Sequence, residues 1–386
     1  MSSGAPAELA RVNPVLTRLR AYGTTGRIVG IDIARGLAVL GMFGAHVGVT
    51  EHLDPLDPSS WIALVHGRSS ILFAVLAGVS IAIISGRTRV VAGRALVDAR
   101  LRILVRAVVI FALGGLLEFL GTGVAVILPA YALLFVLAIP FLRWSPRRLF
   151  LLAGILSVVS PVLTALVVGF VRDGEGVILD LLVSGVYPGV IWITFVLVGL
   201  GIGRLDLDSR RVRLTVGGAG AALTLVGYGI GAIVASAVPS GADAATRLID
   251  LTVLASIEAH SGSPFEVIGS TGFALAVIAL SLLAAVPLRW LLFPVAAVGA
   301  MALTAYTLHI FAIAALGSQF WRTDDTLLFG AFVLAALLAC SAWYATVGRG
   351  PLEQVLTTIS TRAVTAAPHA AGRLDGDTLQ EENTNT

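Results

Sequence analysis

The 386-residue sequence contains no lysine; all 26 of its basic residues are arginine. With abundant Ala, Gly and Val, that absence points to a GC-rich genome rather than to a mechanism. Cysteine is nearly missing too. Cys340 stands alone, which excludes an intramolecular disulfide and any cysteine-based zinc cluster. A small buried apolar side chain is the simpler role for it. Charge is also scarce. Asp, Glu and Arg make up 13% of the chain, roughly half of what a soluble protein carries. Residues 1–26 are polar and lack an apolar core next to a small-residue cleavage site, so they read as a cytoplasmic arm and not as a cleaved signal peptide. The net charge of +3 and the pI of about 9.4 come without any nucleic-acid-binding signature, and no nucleic-acid partner is expected.

Apolar residues make up 57% of the chain, and the mean hydropathy is +0.94. Runs long enough to cross a bilayer recur along most of it. The expected fold is all-α: a polytopic membrane bundle of about ten spans. They read as 28–49, 62–85, 103–120, 123–142, 149–171, 186–203, 214–237, 266–286, 291–313 and 327–347. With the N-terminus inside, twenty arginines fall in cytoplasmic segments. Only Arg172, Arg247 and Arg322 fall outside. The positive-inside rule therefore favours both termini in the cytoplasm. Three regions follow: an arm (1–26), a membrane domain (27–357) and a tail (358–386) whose polar ending, "QEENTNT", reads as disordered. Two outer loops, 172–189 and 238–266, are longer than the cytoplasmic ones and suit recognition on the outer face.

An ionisable side chain inside a span costs roughly 2.5–3.5 kcal/mol on insertion scales and so marks a functional position by default. The first span, "RIVGIDIARGLAVLGMFGAHVG", keeps three: Asp32, Arg35 and His46. Arg35 and His46 are eleven residues apart, which returns them to one helical face about 16 Å apart along the axis. Asp32 lies one turn before Arg35 on the same side. A neutralising Asp32–Arg35 staple is the structural alternative, but it leaves His46 unexplained. The second span opens with His66 and Arg68; Arg68 suits an anion or a developing oxyanion. Glu118 ends the third span at the outer side. His309 lies near the outer end of the ninth, one turn after Tyr306, and His260 belongs to the last long outer loop. Four histidines thus share the outer third of the bundle. Imidazole suits general-base work near neutrality or transient acyl carriage. His52 and His369 read as solvated. No histidine pair sits at metal-binding helical spacing, and no metal is expected.

These segments carry a resemblance. "DIARGLAVLGM", "GRSSILFAVLAGVSIAI", "ILPAYALLFVLAIPFL", "GVYPGVIWITFVLVGLGIGRLDL" and "RGPLEQVL" resemble heparan-α-glucosaminide N-acetyltransferase and the bacterial YeiB-like proteins, within the transmembrane acyltransferase superfamily. Arg35 and His46 also match the R-x10-H spacing of integral-membrane acyltransferase family 3. The heparan enzyme carries asparagine where His46 aligns. The resemblance implies an enzyme that takes an acyl group from a cytoplasmic donor, commonly acetyl-CoA, to an extracytoplasmic glycan or glycolipid. It carries over Arg35 and His46; with Asp32 from the reading of the span, these are the catalytic candidates. His66, Arg68, Glu118, His260, Tyr306 and His309, placed by their depth, are the candidates for binding substrate. The expected setting is the plasma membrane of a bacterium, with the bilayer and an envelope glycan as partners and a homodimer left open. A transporter or lipid exporter is the competing reading, because intramembrane charges also line transport paths; against it, no matching pair of interrupted helices is read from the sequence. A non-catalytic membrane partner is the third.

Overall fold

The computed structural model describes residues 14–23, 26–48, 60, 63–170, 176–238, 251–317 and 326–366. Every regular element among them is helical. A short helix, α1 (Pro14–Ala21), precedes α2 (Val29–Val47), α3 (Arg68–Ile84), α4 (Gly93–Glu118) and α5 (Leu128–Ala138). There follow α6 (Pro146–Phe170), α7 (Val177–Leu179) with a π-turn to Ser184, α8 (Gly189–Gly203), α9 (Arg210–Ala237) and α10 (Leu251–Ala255). The chain continues through α11 (Pro264–Ala284), α12 (Phe293–Ala300), α13 (Ala302–Leu316), α14 (Thr326–Thr346) and α15 (Pro351–Ala366). The chain is a polytopic helical membrane protein. Among the described residues, five helices are long and apolar enough to span a bilayer, and seven if each of two bent pairs forms one span. The ten-span count also takes in the shorter apolar helices α3 and α5 and the long α4, which bears Arg94, Arg100, Arg102 and Arg106. α15 continues through Ala366, past the boundary at 358 read from the sequence; residues 367–386 lie outside the described residues.

α2 stands at the centre and buries Ile31, Ala34, Ala38, Val39, Met42 and Phe43 in the main core. It packs against α3, α11, α12, α13 and α14. In lipid there is no hydrophobic drive between helices, so close backbone approach supplies the packing. Gly36 and Gly299 do this between α2 and α12. A Cβ on Gly299 would run into the Asp32 carbonyl, and one on Gly36 into the Val295 carbonyl. α9 and α11 meet in the same way through Gly220, Gly227, Gly269 and Gly272.

The two bends differ in how they are built. The first, 57°, lies between Ser184 and Gly189, where Gly185 and Pro188 interrupt the helix. The second, 85°, lies between α12 and α13 at Met301, with no proline nearby. Its free ends are satisfied from elsewhere in the chain. Arg35 donates from Nη1 to the Gly299 carbonyl at the end of α12, 3.4 Å away. The Glu353 carboxylate accepts from the Leu303 and Thr304 N–H groups at 2.7 and 3.1 Å, and from Thr304 Oγ1 at 2.6 Å. α15 thereby caps α13 from outside, which is what a helix start buried in an apolar bundle requires.

Arg204, at the end of α8, is buried rather than a surface charge. It donates to the carbonyls of Ser85, Arg87 and Leu142 at 2.6–3.0 Å and to Ser85 Oγ at 2.8 Å. This clamp ties three interhelical turns together at the arginine-rich end of the bundle.

Candidate functional site

At the end of the bundle opposite the arginines lies a cavity of about 260 Å³. His46, His66, His260, Tyr187, Tyr306, Ser69 and Ser70 supply its polar lining. Three of the four histidines grouped from the sequence therefore share one space. The fourth, His309, is 2% exposed and stands directly behind His46. His46 Nδ1 and His309 Nε2 are 2.9 Å apart. Phe43 and Tyr306 pack on the His309 ring at centroid distances of 4.6 and 4.9 Å. Tyr306 Oη accepts from the Ile127 N–H at 3.3 Å.

His260 reaches the cavity from the loop between α10 and α11 with a left-handed backbone, φ +63°. Glu266 makes that turn possible. Its carboxylate, 3% exposed, accepts from the N–H groups of His260 and Gly262 at 2.8 and 2.7 Å, and from the Ser261 hydroxyl at 3.3 Å. Ser263 caps the helix start, its Oγ accepting from the Glu266 N–H at 3.0 Å. Glu266 was not singled out from the sequence, yet "SPFE" is an S-x-x-E capping pattern that flags it. The His260 ring lies parallel to Trp192, 10° between planes, with Tyr187 against its edge. Burial, and then the charge of His66, push its pKa down to about 4. The imidazole that borders the cavity from this loop is neutral near pH 7.

Two other candidates stand outside that lining. Arg68 donates from Nε to Tyr228 Oη at 2.8 Å, and Tyr228 in turn shares a 2.6 Å hydrogen bond with Ser270. Its Nη1 also covers the carbonyls of Ala63 and Leu64. Its position fits the entry to α3 more directly than the cavity. Glu118 is exposed at the end of α4.

At the arginine-rich end, Asp32 is gripped from both sides. Arg27 donates to it twice at 2.9 Å, and Arg35 donates from Nη1 at 3.1 Å. Arg35 also reaches Ser80 Oγ at 3.1 Å. Two cavities meet at Arg35. One, about 220 Å³, is lined by Arg27, Asp32 and Arg87. The other, about 210 Å³, is lined by Arg106, Ser80, Tyr131 and Glu353. Four guanidinium groups thus face two carboxylates, and Glu353 is already committed to capping α13. Arg106 Nε is buried without a partner among the described residues. Arg102 and Arg204 also bury an Nε without a partner among the described residues, but Arg106 alone of the three lines a cavity together with Arg35. Arg106 escaped the sequence reading because it follows Arg94, Arg100 and Arg102 and reads as one more flanking charge.

The imidazole cavity and the Arg106 cavity share no lining residue. A wall separates them. In it, Tyr131, which lines the Arg106 cavity, donates to the Ser70 carbonyl at 2.9 Å, and Ser70 lines the imidazole cavity. No group of three or more His, Cys, Asp or Glu side chains in metal-binding geometry occurs among the described residues.

Two family models match the chain. The model described as heparan-alpha-glucosaminide N-acetyltransferase, catalytic, covers residues 27–232. The model described as protein of unknown function (DUF418) covers residues 219–362. No curated protein matches the chain.

Proposed function

The chain belongs to the heparan-α-glucosaminide N-acetyltransferase catalytic family, and from that premise we propose that it moves an acyl group, acetyl in the first instance, from a cytoplasmic acyl-CoA to a hydroxyl or amine of an envelope glycan or glycolipid. The observation that carries the reading is the double role of α2. One helix lines a cationic cavity with Arg35 and an imidazole cavity with His46, about 16 Å apart along its axis. With the arginine-rich end cytoplasmic, Arg35, Arg106 and Arg27 hold the anionic part of the donor, and Asp32 fixes Arg35 and Arg27 in place. The donor's thioester end reaches His46 only when the Tyr131–Ser70 contact between the two cavities opens. The cavity's remaining polar groups, His66, His260 and Tyr306, orient the acceptor.

The chemistry is a direct displacement. His46 takes the proton of the acceptor hydroxyl as its oxygen bonds to the acyl carbon. The carbon–sulfur bond breaks, and the leaving thiolate recovers the proton from His46. Proton transfer of this kind contributes roughly 10²–10⁴-fold to rate. In proteoliposomes with acetyl-CoA on one side and glycan acceptors on the other, His46→Ala is expected to lose acetyl transfer by at least about 100-fold, with an unchanged melting temperature. Transfer at the unaltered rate by the folded variant overturns the role of His46.

The transport reading has one observation in its favour, the two bent helices. At the α12–α13 break, however, Arg35 and Glu353 already satisfy the Gly299 carbonyl and the Leu303 and Thr304 N–H groups, which leaves fewer bare groups for a transported substrate. Solute uptake without consumption of any acyl donor would favour transport.

A further inference from the structure

We infer that His309 is a positioning residue that sets the tautomer of His46: it accepts the His46 Nδ1 proton and leaves the unprotonated Nε2 of His46 for the cavity. Only the catalytic consequence rests on the acyltransferase reading.

The geometry is that of a single in-plane hydrogen bond. The two imidazole planes lie within 12° of each other, and their centroids are 5.2 Å apart. With the nitrogens 2.9 Å apart, the N···N line runs along the line joining the ring centres. A lone pair on one ring therefore faces an N–H on the other, as a strong hydrogen bond requires. Exactly one proton occupies that bond in the neutral pair, so one ring donates and the other accepts.

The surroundings decide which. His309 is locked between Phe43 and Tyr306, and it does not line the cavity. Its Nδ1 is buried without a hydrogen-bond partner of ordinary geometry, and side chains on a helix lean back over the preceding turn. The groups there are the backbone carbonyls of Ala305 and Tyr306, which interact with the His309 ring. A lone pair on Nδ1 would face carbonyl oxygens; a proton there is attracted to them. Nδ1 therefore carries the hydrogen, Nε2 is the acceptor, and His46 donates from its own Nδ1. In His46 the remaining nitrogen, Nε2, is then the base. When Nε2 takes up the acceptor's proton, the imidazolium keeps its Nδ1–H bond to His309, so the new charge forms against a pre-aligned acceptor and not in an apolar wall. Free histidine prefers the opposite tautomer, so the pair does something the isolated residue would not.

Reading the tautomer needs no substrate. The full-length protein, with ¹⁵N-labelled histidine and reconstituted in nanodiscs at pH 8, gives long-range ¹H–¹⁵N spectra that distinguish the two tautomers. The His46 signals are identified by their loss in His46→Asn. The expected result is His46 protonated at Nδ1 and bare at Nε2. His309→Phe should turn His46 to the Nε2–H form. His309→Gln, whose amide oxygen can accept, should hold the original form and recover most of the turnover lost by the Phe variant. A His46 that is Nε2–H in the unaltered protein overturns the inference, and so does a tautomer indifferent to His309→Phe. If the Phe variant does not fold, the unaltered protein and the Gln variant decide. The inferred tautomer in a protein that transfers no acyl group would leave this inference standing and defeat the acyltransferase reading alone.

Discussion

A guanidinium whose Nε is buried without a partner is a costly thing to keep in a membrane helix, and Arg106 keeps one. Its conservative replacement separates binding from folding. Arg106→Gln removes an uncompensated charge, so the melting temperature should hold or rise. The donor's KM should rise about 10- to 150-fold, in line with the roughly 1.5–3 kcal/mol carried by a hydrogen bond to a charged group. A lower melting temperature with an unchanged KM would make Arg106 structural. At this scale the sequence was legible wherever one helix carried the pattern. Asp32, Arg35 and His46 share a face by spacing alone, and the structure has them on one central helix. It was illegible wherever the meaning depends on a partner far along the chain. The His46–His309 contact bridges 263 residues, and nothing local to "YTLHI" announces it.

The break between α12 and α13 is the element on which both ends of the site depend. α12 brings Gly299 against Asp32 and Arg35, and α13 carries His309. Glu353→Ala should leave the N–H groups of Leu303 and Thr304 unpaired in the bundle, at a cost of about 1–3 kcal/mol. The expected readout is a lower melting temperature and lower turnover, because a less fixed α13 no longer holds His309 on His46. Turnover unchanged despite the lower melting temperature would uncouple the break from the chemistry. Gly299→Ala should act from the other side. The added methyl group meets the Asp32 backbone and forces α12 away, costing about 1–3 kcal/mol, and the donor's KM should rise as Arg35 loses Gly299. Neither the bend nor its cap could be read from "VGAMALTAY", which contains no proline. The bend survives because Arg35 and Glu353, distant in sequence, satisfy its ends. By contrast, the bend before α8 is written locally in "SGVYPG".

Taken whole, the molecule joins a charged end to an imidazole-lined end across an apolar core, and acid should disturb it from the imidazole side. His260 binds its proton near pH 4 when folded and near its ordinary 6.5 when unfolded. The unfolded chain therefore binds more protons in that window, and stability falls as pH drops from about 6.5 towards 4. Thermal unfolding followed across that range should show the decline, and His260→Asn should flatten it. An equal decline in the variant would assign the acid sensitivity to other groups. The wall of Tyr131 and Ser70 has a consequence of a different kind. Histidines and bound water that line connected cavities across a bilayer can pass protons from one face to the other. The 2.9 Å contact between the Tyr131 hydroxyl and the Ser70 carbonyl lies between the imidazole cavity and the Arg106 cavity, and keeping it closed is expected to keep the two from joining into one path. Liposomes holding Tyr131→Ala should lose an imposed pH gradient faster than those holding the unaltered protein; equal decay would mean that the seal lies elsewhere.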